Sequence, residues 1–277
     1  MPEAKRIRVF FFDADTGAAL DRVEMPAGDL PASFEASTSL NMGGQDWQVA
    51  AADPVTRAEF AETGEQRLTL RKVTIKTVPL GDLLFSLPTI SDVVAPIAAG
   101  TTKLRKEVLE MHEDDWRQVE LVARTQQPQV AAELAAVSRI HAEERTPNGF
   151  FKKLHVRKEV ARPLAGCRLS VADVRRHFAA HRPLEGIAYR GVAGLVEGGF
   201  AFATAGGVRV YGVESDGAVE VLGLYLDQVV PDVEADGRAL AALLRAQGLC
   251  LVDWCRTRQL DGAEPAVVEY LRSWAGG

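Results

Sequence analysis

Short runs of alternating apolar and polar side chains fill the first eighty residues. They are Arg6 to Phe12, a return past Leu20 to Met25, Asp46 to Ala51 and Arg67 to Thr77, with Gly, Pro, Asp and Asn between them. A period of two separated by turn formers predicts strands, so residues 1–80 read as a β-rich domain, either an antiparallel sheet or a small barrel. The run from Arg67 to Val78 slips once, at Arg71-Lys72, which predicts a bulge or a strand break. Trp47, on the third of these strands, is expected to pack in the core.

The period changes near residue 100. Leu104, Val108 and Leu109 follow the possible caps Thr101 and Thr102. Trp116, Val119 and Val122 follow Asp115, with Gln118 three residues beyond the cap. Val130, Leu134, Val137 and Ile140 follow Pro128 and run until Pro147-Asn148-Gly149. Each set fits one helix face behind a start signal, and residues 81–160 are therefore expected to form a helical connector.

Residues 161–277 mix both periods. Ser170 and Asp173 form a capping signature for a helix bearing Val171, Val174 and Phe178. Strands are then expected at Ile187 to Arg190, Gly199 to Thr204, Val208 to Val213 and Val219 to Leu226, the last two joined by the hairpin signal Asp216-Gly217. A helix with Leu240, Leu243 and Leu244, a strand from Leu249 to Val252 and a helix from Pro265 complete an α+β domain with a mainly antiparallel sheet. The whole chain is accordingly placed in the α+β class.

Size and composition narrow this picture. The 277 residues are enough to bury more than one core, and 47% hydrophobic with 25% charged residues argues against extensive disorder. No apolar run is long enough for a bilayer, and the N-terminus lacks the apolar core of a signal peptide, so a cytoplasmic location is expected. The net charge of −6 divides into −5 over residues 1–100, +1 over 101–160 and −2 over 161–277, which disfavours nucleic acid as a partner. Every basic residue after position 160 is Arg, which with the Ala and Gly content points to a GC-rich bacterial genome. The cysteines Cys167, Cys250 and Cys255 suit neither a disulfide framework nor a zinc knuckle.

Five stretches carry candidate chemistry. The apolar strand Ile7 to Phe12 runs into Asp13-Ala14-Asp15. This resembles the first motif of the haloacid dehalogenase-like phosphotransferases, and the resemblance implies a magnesium-dependent hydrolase or phosphotransferase with one carboxylate as nucleophile and the other as general acid. In that family Gly precedes Thr, whereas here Thr16 precedes Gly17, and residues 18–80 lack a helical period for the crossovers of a parallel sheet. Read from the residues alone, Asp13, Asp15 and Gly17 are turn formers between antiparallel strands.

His177 and His181 are spaced to share a metal ion on one helix face, but the glutamate of H-E-x-x-H is missing. Asp253-Trp254-Cys255 ends an apolar strand, and a carboxylate beside the thiol favours a structural cysteine. The glycines from Gly191 to Gly207 match no phosphate-binding pattern and would serve hairpins or line a pocket for a small molecule. The residues leave the identity of any cofactor open.

The run Phe150 to Lys158 is the one basic aromatic stretch. Lys152, Lys153, Arg157 and Lys158 would steer a partner, while a plain strand would turn Phe150, Leu154 and Val156 inward. With no convincing catalytic set, the leading expectation is a soluble, non-catalytic protein that binds another macromolecule. The acidity of the chain favours a protein as that partner.

Overall fold

The computed structural model describes residues 5–34, 38–73, 83–101, 107–178, 181–226 and 233–275. The fold is mixed α+β and rich in strands, with mainly antiparallel sheets. The chain divides into two compact units, residues 1–78 with 191–193, and residues 79–190 with 194–277.

In the first unit, the strands β1 (Arg6–Asp13), β2 (Ala19–Pro26), β3 (Ser39–Met42), β4 (Gln45–Asp53) and β5 (Glu65–Lys72) form one open sheet in the order β2-β1-β5-β4-β3. The two outer hairpins are antiparallel as expected, but β1 and β5 run parallel, with Val9 opposite Gln66. The sheet is thus mixed and is not a barrel. The parallel step needs a crossover, and part of it is α1 (Arg57–Thr63), a helix too short to leave a period in the sequence. Thr56 and Glu59 form its capping box, Gly64 ends it at φ 77°, and Phe60 is its one buried side chain. Ile7, Val9, Phe11, Val49, Leu68 and Leu70 face Phe34 and Phe60 across the core, and Trp47 packs at its margin. β5 ends at Lys72, the strand break expected at Arg71-Lys72, and the register shifts fall elsewhere, on β4 between Val49 and Ala51 and on β1 between Phe11 and Phe12. Residues 74–77 of the predicted strand lie outside the described residues.

The second unit is built on a seven-stranded sheet, β10-β12-β13-β14-β8-β15-β16, whose strands pair antiparallel. These are β8 (Val119–Ala123), β10 (His181–Leu184), β12 (Gly199–Thr204), β13 (Arg209–Ser215), β14 (Ala218–Tyr225), β15 (Leu249–Asp253) and β16 (Arg258–Leu260). Two short parallel pairs accompany it: β6 (Thr89–Ser91) with β9 (His155–Arg157), and β7 (Leu109–Met111) with β11 (Ile187–Tyr189). The helices are α2 (Gln127–Glu143), α3 (Val171–Arg176), α4 (Val233–Ala246) and α5 (Glu264–Ala275).

Alternation along the central strands explains the layers. Val119, Leu121, Ala123, Leu249 and Leu251 point into a core shared with Val174, Leu240, Leu244, Val267 and Leu271 of α3, α4 and α5. Val122, Cys250, Val252 and Trp254 point the other way, against Val130 and Leu134 of α2. A strand buried on both faces loses its polar alternation, so Val119-Glu120-Leu121-Val122-Ala123 carries no strand signature.

That loss accounts for the main error of the sequence reading. The expected helix from Trp116 is a turn followed by β8, whereas the third predicted connector helix is present as α2 with Pro128 in its first turn. Residues 102–106 of the first lie outside the described residues, and its end, Leu109, begins β7. The later helices and strands stand close to their expected places, α3 with both halves of its capping box.

Candidate functional site

The carboxylate pair at the end of β1 is a turn. The Oδ1 of Asp13 accepts the N–H groups of Asp15 (2.9 Å) and Thr16 (2.8 Å) and the hydroxyl of Thr16 (3.0 Å), closing the β1–β2 hairpin through Gly17 at φ 71°. Asp15 is exposed, 3.9 Å from Arg71. The Thr16 and Asp15 hydrogen bonds hold the Asp13 carboxyl below its usual value. Because the folded value is depressed, the stabilisation is full above the ordinary carboxylate range and disappears as pH falls through the lowered value. Asp13→Ala is expected to lower the melting temperature at neutral pH, with the gap between variant and wild type closing in acid. A gap that persists unchanged in acid would count against this role.

The two histidines do not share a helix face. Helix α3 stops at Arg176, His177 is its C-cap, and His181 starts the edge strand β10 with its ring 5.2 Å from Phe202. Arg182, restricted by Pro183, is extended in that strand. No group of three or more His, Cys, Asp and Glu side chains converges among the described residues.

The basic run splits in two. Phe151, His155 and Arg157 turn inward, whereas Phe150 is 45% exposed and Val156 36% exposed. The strand register is therefore opposite to the expected one, since a slip of one residue exchanges the faces. Lys152, Lys153 and Lys158 stay on the surface, and Lys153 lies 2.6 Å from Glu144. Arg157 does not belong with them. It is buried, with Nη1 donating to Thr89 Oγ1 (3.0 Å) and Gln118 Oε1 (3.3 Å), and Nη2 to the Arg117 carbonyl (3.0 Å). Helix α2 fixes the same strand through Glu133, which pairs with His155 and accepts the N–H groups of Lys158 and Glu159. Burial would raise the Glu133 pKa, but these hydrogen bonds together lower it.

Behind Arg157 lies a charged network with no signature in the residue pattern. Arg117, in the left-handed region at φ 60°, enters β8 with its N–H donating to the Tyr211 hydroxyl at 2.9 Å. Its guanidinium binds Glu120 with both Nε (2.7 Å) and Nη2 (3.2 Å), and Nη2 also reaches the Val160 carbonyl at 2.6 Å. Trp254 Nε1 donates to Glu120 Oε1, the oxygen that also accepts Arg117 Nη2, at 2.8 Å, and Arg157 lies 5.1 Å over the Trp254 ring. Glu120 is wholly buried and compensates one of two buried arginines. Arg157 keeps its proton with neutral acceptors alone. Burial, together with the repulsion of Arg117, pulls its pKa down to about 10 against the attraction of Glu120.

This cluster is not a nucleophilic centre. Cys255 donates its thiol to Gln118 Oε1 at 3.2 Å, and burial and Asp253 push its pKa up to about 12, so it remains a thiol at neutral pH. No protein-family model, curated protein or solved structure matches the chain. Among the described residues no helix is long and apolar enough to cross a membrane. The described surface offers two features besides this network: an apolar cleft beside β13 and β14, and the basic face around Phe150.

Proposed function

We propose that this protein acts by binding another protein, through the face that carries Phe150. The observation that supports it is the exposure of large apolar side chains among lysines. Phe85 and Phe151 pair across an antiparallel bridge with reciprocal backbone hydrogen bonds, and the residues before them, Leu84 (46% exposed) and Phe150 (45% exposed), point out beside Lys152 and Lys153. Leu83 is exposed next to Leu84. An aromatic anchor with a cationic rim suits an acidic protein surface that carries its own apolar residues, the charges steering encounter and the phenylalanine contributing contact area.

Site-specific photo-crosslinking from position 152 in the producing cell tests this. The expected result is a discrete protein adduct that disappears in Phe150→Ser and in Lys153→Glu/Lys158→Glu, and weakens as salt is raised. Arg157 stays unaltered, because it belongs to the core. No adduct, an adduct sensitive to ribonuclease, or one indifferent to both variants would overturn the proposal.

A further inference from the structure

We infer that the cleft beside β13 and β14 binds a small amphipathic organic anion, its apolar body on the strands and its acidic group between Arg117 and Arg162. The cleft encloses about 510 Å³, within the range of small-molecule sites. It is lined by the face of β13 and β14 opposite α4 and α5 and also by Leu164 and Val219, which belong to the core under those helices. Val210, Leu222 and Leu224 point toward those helices, which sends the paired Val213 and Val221 to the other side, where they are half-buried. Leu164 and Trp116 complete the apolar wall, and Val93, 56% exposed, stands on the rim with its apolar side chain in water.

The donors decide the class of ligand. Arg117 is 5% exposed, and its Nη1 bonds to none of the described residues although Nε and Nη2 are fully engaged. That nitrogen is not among the wholly buried unpaired atoms and so stays open to an incoming acceptor, for which an anionic oxygen is the best partner. Arg162, on the opposite wall, is exposed and forms no ion pair with the described residues. The nearby carboxylates are Glu220 and Asp92, both solvent-exposed, and Asp92 adds to Glu120 in favouring the Arg117 charge. The left-handed backbone of Arg117, anchored by Tyr211, is the kind of local strain that collects at binding sites.

Fluorescence titration with 8-anilinonaphthalene-1-sulfonate, with its uncharged analogue N-phenyl-1-naphthylamine as control, tests the inference on the full chain. Saturable binding of one sulfonate probe per folded chain is expected. Arg162→Gln should weaken the sulfonate about tenfold, the scale of one charge-assisted hydrogen bond, and leave the neutral probe unchanged. Val221→Trp, which fills the cleft from its edge, should abolish the binding of both probes at an unaltered melting temperature. If Val221→Trp unfolds the chain, Ala165→Trp fills the same space from the facing loop. Phe150→Ser should change nothing, which separates this site from the docking face. Absence of saturable binding, equal loss of both probes in Arg162→Gln, or loss in Phe150→Ser would overturn the inference.

Discussion

Glu120→Gln is expected to destabilise the second unit by about 3–5 kcal/mol, the usual cost of removing one partner of a buried ion pair. Glu120 sits with no exposed surface between Arg117 and Trp254, bonded to Arg117 and, through its charge, attracting the buried Arg157 as well. The introduced amide keeps the shape and can still accept from the indole, but it leaves two buried cations without a counter-charge. Urea denaturation of the variant and wild type measures the loss. The double variant Arg117→Met/Glu120→Gln should lose less than Glu120→Gln alone, because the stranded cation goes with its partner. A single-variant loss below about 1 kcal/mol would mean that water or a shift of Arg117 relieves the charge, and the network would not be the closed unit described above.

Gly223→Ala should cost about 1–3 kcal/mol through crowding, and further stability through one broken hydrogen bond. A Cβ on Gly223 would meet the Tyr211 ring at 2.5 Å and its hydroxyl at 2.7 Å. That hydroxyl receives the Arg117 N–H, so the methyl group would push away the group that holds the turn before β8. Gly28→Ala is the control, since a Cβ there meets nothing within 4 Å. Chemical denaturation should show a clear loss for the first variant and little change for the second. Partial recovery in Gly223→Ala/Tyr211→Leu would identify the ring as the obstacle, and no recovery would place the strain elsewhere.

Much of the architecture is legible in the residues. β1 and β4 keep one face in water and so keep their alternation, while the more buried β12, β13 and β14 are marked off by the glycine turns between them, and all stand close to where the pattern places them. Caps are equally local, and Ser170 with Asp173 starts α3 as expected. The failures share a cause. β8 is buried on both faces, so its spacing of Trp116, Val119 and Val122 imitates a helix, and the charged network rooted in it was hidden with it. Nothing in Arg117-Gln118-Val119-Glu120 distinguishes a buried ion pair from a solvated helix surface. Arg157 was misplaced for a related reason: a basic residue in a basic run reads as surface, and its partners Thr89 and Gln118 are far away in sequence. Asp13 was read as a turn because its partners are its immediate neighbours.

The position of β8 also sets an order of events during synthesis. Its partner β15 is made much later: the Cys250 thiol that reaches back to the Val122 carbonyl is 128 residues downstream. The first unit closes from residues 6–72 alone apart from Gly191–Ala193, and its sheet can form while the ribosome is still translating the second. Until β15 emerges, the apolar strand Val119–Ala123 has an open edge on that side, and loop closure over such a span is slow. A nascent chain stalled before residue 249 is therefore expected to carry a folded head and a sticky, unfinished body, the form on which a chaperone would act.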